Sequence, residues 1–150
     1  MMKTGLLTCL IALLLFTSAH AEEGKKLREV KFSLIHAQSE RIEETMPVAP
    51  KLRKSLETLF GYDKYRILGE ARSELPQGKP VTFQPHPLFF IKLSRTPEKL
   101  NCYDFELIQN DESLVKGKYV PKKEVPLIIR GPFYDQGNLV LVIESEFDAK

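Results

Sequence analysis

From Tyr62 to the C terminus, apolar and polar residues alternate in short runs, and turn clusters interrupt them about every 8–12 residues, the spacing of a β-sandwich or barrel. The runs cover residues 64–75, 81–84, 88–94, 102–109, 112–119, 125–130 and 138–147. Between them lie Pro76-Gln77-Gly78-Lys79-Pro80, Pro85-His86-Pro87, a polar turn around Pro97, Asn110-Asp111, and a loop from Gly131 to Gly137. Glycine, proline, asparagine and aspartate are the residues that reverse a chain at low steric cost. An eighth run, residues 27–38, comes first. It places Val30, Phe32, Leu34 and His36 on one face and Glu29, Lys31, Ser33 and Ile35 on the other, the two-residue period of a strand with the first set inward. Residues 139–143 are apolar at every position, which predicts a central strand buried on both faces.

One segment has a helical period. Leu52, Leu56, Leu59 and Phe60 recur at three- and four-residue spacing after Pro50. Proline fits a first helical turn, where its missing N–H is no loss, and Gly61 fits a left-handed cap. Strands and helices do not alternate, so a parallel α/β sheet is not expected. The expected fold is an antiparallel β-sandwich, or open barrel, of about eight strands. A single short helix near residues 50–60 would cover an open end or edge.

The N terminus reads as an address. Lys3 supplies a positive start, residues 6–16 are almost wholly apolar, and Ala19-His20-Ala21 has the small residues that a signal peptidase reads. The apolar run falls short of the roughly 20 residues that span a bilayer. The sequence thus predicts a cleaved signal peptide over residues 1–21 and export to the periplasm or the exterior. A single domain over 22–150 follows, after a charged leader at residues 22–26. Cys9 sits at the start of the apolar run and not at its end, so lipidation there is not expected.

Taking 21 residues from 150 leaves 129, enough to bury a core without staples. Lys3 is the one charge removed, so 21 basic and 20 acidic residues remain, a net +1. That balance supplies no field to attract nucleic acid or an anionic membrane. The basic pairs Lys25-Lys26 and Lys122-Lys123 and the cluster Lys51, Arg53, Lys54 read as solvated faces. Cys102 is left without an intramolecular partner and is expected to pack as a small apolar residue.

Chemistry leaves few traces. The chain has neither Gly-x-Ser-x-Gly nor His-Glu-x-x-His, and no phosphate-cradling glycine loop. The residues after position 21 hold two histidines, His36, placed inward on a strand, and His86, between two prolines. Asp104 and Glu106 share one strand face roughly 6–7 Å apart, but they oppose the aromatic face of that strand and read as solvated. No catalytic residue, metal site or cofactor is predicted. Aromatic residues are the remaining candidates for recognition. Tyr62 and Tyr65 at the helix end are expected to be core plugs. Phe133 and Tyr134, in the loop before the last strand, are the candidate binding residues.

Three stretches carry a resemblance. They are Leu34-Ile35-His36-Ala37-Gln38-Ser39, the segment from Leu59-Phe60-Gly61-Tyr62 through Tyr65-Arg66-Ile67-Leu68, and Gly137-Asn138-Leu139-Val140-Leu141-Val142-Ile143. Together the chain resembles small exported bacterial proteins of unassigned function, a likeness of structural motifs that implies a fold and no activity. The expected function is therefore a non-enzymatic binding or structural module of the cell envelope, its partner another envelope protein. Two alternatives stand beside it. One is a carrier for a small apolar ligand, lined by Leu88-Phe89-Phe90-Ile91. The other is a hydrolase using His36 or His86 with a nearby acid.

Overall fold

A computed structural model describes residues 27–39, 48–75, 78–99 and 101–147. The signal segment, the leader, most of the loop before the helix and Pro76-Gln77 lie outside the described residues. Eight strands and one helix follow in the order β1 (Leu27–Gln38), α1 (Pro50–Phe60), β2 (Lys64–Ser73), β3 (Val81–His86), β4 (Phe89–Arg95), β5 (Tyr103–Gln109), β6 (Glu112–Tyr119), β7 (Leu127–Tyr134) and β8 (Gly137–Phe147). They form two antiparallel four-stranded sheets, β2-β1-β8-β7 and β3-β4-β5-β6. The fold is a β-sandwich.

Strand order around the molecule follows the chain. β1 pairs with β2 and with β8, the free edge of β2 lies against β3, and that of β6 lies near β7. This is the cyclic order of an up-and-down barrel, opened along two seams where no ladder joins the sheets.

Alternation puts one face of every strand inside. Val30, Phe32 and Leu34 of β1 and Leu139, Leu141 and Ile143 of β8 pack in one cluster with Phe89, Ile91 and Leu93 of β4 and Phe105 and Leu107 of β5. Phe32 lies against Phe83 with ring centroids 4.9 Å apart. The other faces of β1 and β8 are apolar too, because α1 covers them. Ile35, Ala37, Val140, Val142 and Tyr65 form a second cluster with Leu56 of the helix. Under the helix, β8 is thus buried on both sides, as the unbroken run 139–143 predicts.

The helix lies on the outer face of that sheet, not across an end or edge as expected from sequence. The apolar second faces of β1 and β8 leave it no better place to bury Leu56. Leu52, Leu56 and Phe60 stand four residues apart on one ridge toward the sheet, whereas Leu59 falls off that ridge and is exposed. Gly61 closes the helix at φ 70°, its N–H bonded to the Glu57 carbonyl. The Tyr65 hydroxyl donates to the Leu56 carbonyl at 3.0 Å and accepts from the Tyr62 N–H at 3.1 Å, so Tyr65 is a core plug with its polar end satisfied.

Away from the helix, the outer face of the first sheet carries ion pairs. Lys31 meets Glu70 at 2.7 Å, and Arg72 meets Glu146 at 2.9 Å and Glu29 at 3.2 Å. The outer face of the second sheet is a solvated ladder that aligns Lys92, Glu106 and Lys116 in one row and Ser94, Asp104 and Lys118 in the next.

Candidate functional site

The register places Pro87-Leu88, Asn110-Asp111 and Asp135-Gln136 at one end of the sandwich, the end where β1 finishes and β2 begins. The last of these turns belongs to the hairpin that carries Phe133 and Tyr134. Sequence predicts a seven-residue loop here, but β7 runs on through Tyr134 and the turn is two residues long. The ladder shifts register between Arg130 and Phe133. That irregularity accommodates Pro132, which has no N–H to offer and is tolerated on an edge strand.

The turn is strained and held. Asp135 and Gln136 adopt φ of 41° and 61°, and neither is glycine. Such a conformation costs an L-residue about 1–2 kcal/mol. It persists where its surroundings over-determine it, and here β1 does so. The Nε2–H of His36 donates to the Tyr134 carbonyl at 2.9 Å, and the Gln38 side-chain amide donates to the Asp135 carbonyl. The fully buried His36 ring stands edge-on to the Tyr134 ring, centroids 5.6 Å apart, and Tyr134 stands edge-on to Phe89 at 5.3 Å. Gly137 makes this grip possible. A Cβ there would lie 2.6 Å from Gln38 Cγ and 2.9 Å from His36 Nε2, and closer still to the Ala37 carbonyl.

The opposite side of the hairpin is pinned as well. The Tyr62 hydroxyl donates to the side-chain carbonyl of Asn138, Arg130 donates to both groups at 3.4 Å, and the Asn138 amide donates to the Gly131 carbonyl at 3.4 Å. Phe133 projects from this mount with 73 % of its surface exposed. The two candidate binding residues therefore separate: Tyr134 packs inward and Phe133 faces solvent.

The remaining candidates fall elsewhere. Both ring nitrogens of His36 are engaged. A carbonyl can only accept, so Nε2 carries the proton, and Nδ1 faces the Arg66 guanidinium at 3.4 Å. His86 ends β3, and its Nδ1 accepts the Leu88 N–H at 3.2 Å, a turn-forming bond. Leu88-Phe89-Phe90-Ile91 does not line one wall. Phe89 and Ile91 fill the core while Leu88 and Phe90 face out, as strand alternation requires. Asp104 and Glu106 lie on the solvated ladder. The Lys118 ammonium at 2.7 Å, helped by the Thr96 hydroxyl, holds the Asp104 carboxyl below the usual range. Ser113 and then Lys116 do the same for Glu106. A glycosidase needs one acid raised, not two lowered. Cys102 is buried, with the Thr96 hydroxyl 3.5 Å from its sulfur. Among the described residues, no group of three or more His, Cys, Asp or Glu side chains could hold a metal, and no helix is long and apolar enough to cross a membrane.

Open strand edges offer a second route to partners, and these edges are guarded. β3 carries Pro85 and β7 carries Pro132, each at a register shift, and β6 projects Lys116 and Lys118. Prolines, irregularities and charged lysines are the devices that discourage strand addition. The hairpin tip is thus the more open of the two.

Sequence reasoning missed Gln38, Gly137, Asn138 and Arg130 as parts of this mount. The one available signal was Gly137 standing two residues before the apolar run 139–143. Compared with protein-family models, with curated proteins and with solved structures, the chain returned no match.

Proposed function

We propose that this chain is an exported, non-enzymatic binding module of the cell envelope that engages another envelope protein through Phe133. The observation that carries this reading is the mounting of Phe133. A large aromatic side chain stands almost fully in water on a strained hairpin that two sides of the protein hold still. Exposed aromatics on rigid supports bind with little loss of freedom, and aromatics with arginine dominate interface energetics. Arg130 lies on the same pinned side. Engagement of both His36 nitrogens supports a role without acid–base chemistry.

The test is a photo-crosslinking amino acid at position 133 in cells, with Lys92 on the outer face of the second sheet as the control position. The expected result is a discrete protein adduct at 133, absent at 92 and lost when Arg130 is also replaced by alanine. Equal labelling at both positions, or none at 133, overturns the reading.

The cyclic strand order favours a second reading, a carrier of a small apolar ligand, since closed barrels of this order hold ligands between their walls. The large side chains that fill the inner faces weigh against it. Native mass spectrometry of the protein from its own host tests it through any co-purified small molecule.

A further inference from the structure

We infer that the inner mouth of the sandwich binds an oxyanion through Arg66. Arg66 lies opposite His36 in the β1–β2 ladder, at the hairpin end. It is half-buried. Among the described residues, its Nε is the one buried side-chain nitrogen or oxygen that lacks a hydrogen-bond partner. Its guanidinium also pairs with no carboxylate there. Lys31, Arg53, Arg72, Lys116 and Lys118 all have one.

The partner that Arg66 does have is a neutral one. Nη2 donates to His36 Nδ1 at 3.4 Å, a long bond. His36 cannot turn away, because its other nitrogen is committed to the Tyr134 carbonyl. The imidazole thus positions the guanidinium without balancing its charge.

Native interiors leave few donors unpaired, and Arg66 combines a buried Nε–H that lacks an acceptor with a half-buried charge that no described carboxylate pairs. A water molecule would satisfy the Nε–H but leave the charge. A carboxylate or phosphate oxygen satisfies both, in the charge-assisted geometry that arginine favours. Below Arg66 the seam is shut, since Gly69 lies so near the Pro85 backbone that a Cβ would sit 2.6 Å from its carbonyl carbon. The group that pairs with Arg66 therefore comes from the hairpin end. This site lies on the inner side of the hairpin, with Tyr134, and is independent of Phe133.

The experiment follows the arginine side-chain N–H signals of the 15N-labelled full chain by NMR, at constant ionic strength. The Arg66 signal is identified by its loss in Arg66→Lys. The probes are inorganic phosphate, acetate and octanoate. The expected result is a saturable shift of the Arg66 signal with at least one probe, and at least tenfold weaker binding to Arg66→Lys, read from the Tyr134 and His36 backbone amides. A response to phosphate alone identifies a phosphate-bearing ligand. Octanoate binding at least tenfold tighter than acetate identifies a carboxylate on an apolar chain. No saturable shift in the wild-type protein, or the same shift at the ion-paired Arg53 and the exposed Arg95, overturns the inference without recourse to any variant.

Discussion

Gly137→Ala tests the mount at its tightest point. The backbone of Gly137 is not in the left-handed region, so the substitution acts through space alone. The new methyl would lie 2.6 Å from Gln38 Cγ and 2.9 Å from His36 Nε2, with the Ala37 carbonyl nearer, and real Cβ contacts essentially never fall under 3.0 Å. Gln38 is a flexible side chain and yields cheaply. The Ala37 carbonyl is backbone in the central strand β1, paired on both sides, and does not. Overpacking of this kind costs about 1–3 kcal/mol. Moving His36 also weakens its bond to the Tyr134 carbonyl, worth about 0.5–1.5 kcal/mol. The sum is about 1.5–4.5 kcal/mol, a large part of the stability of a domain this size. At about 4 °C per kcal/mol, the melting midpoint falls by about 6–18 °C. Gly78→Ala is the matched control, since a Cβ there meets nothing; it is expected to melt within about 2 °C of wild type. Circular dichroism on both variants decides the matter. If Gly137→Ala melts with Gly78→Ala, the close approach of β1 to the turn is wrong, and with it the reason for calling Phe133 rigidly mounted.

Phe133→Asp is expected to leave the melting midpoint within about 2 °C of wild type, because an exposed side chain contributes little to folding, while the crosslinked partner is lost; a large drop in midpoint would place Phe133 in the core instead. Burial works against the ionised form of Glu70, but the hydrogen bond and charge of Lys31, with Ser33 and Arg72, outweigh it and keep its pKa below the ordinary carboxylate value. A depressed folded pKa contributes stability above the unfolded value that is lost as pH falls through the folded one. Urea denaturation of Lys31→Met should therefore show a deficit at pH 7 that shrinks toward pH 3, and a constant deficit would refute the linkage. Cys102 is buried, so an aromatic disulfide reagent should modify it only as fast as the protein unfolds; immediate reaction in buffer would contradict that burial.

The strand pattern was legible because each signal was local. Alternation in β1, the paired Asn110-Asp111 turn and the Gly61 cap each depend on neighbours a few residues away. Tyr65 was legible as a core plug for the same reason. The hairpin was misread where a local signal pointed the wrong way. Gly131-Pro132 looks like a chain break, yet an edge strand with a register shift absorbs the proline. The mount was not legible, since His36 and Gln38 reach carbonyls almost a hundred positions away.

The sequence by itself determined the class of the fold. Two-residue alternation and turn residues act within a few positions, and together they require about eight antiparallel strands and one helix. The tertiary structure decided which face the helix covers, why Phe133 and Tyr134 part company, and that Arg66 meets no carboxylate among the described residues. Each of these depends on which distant strands lie side by side, and backbone register, not residue type, sets that.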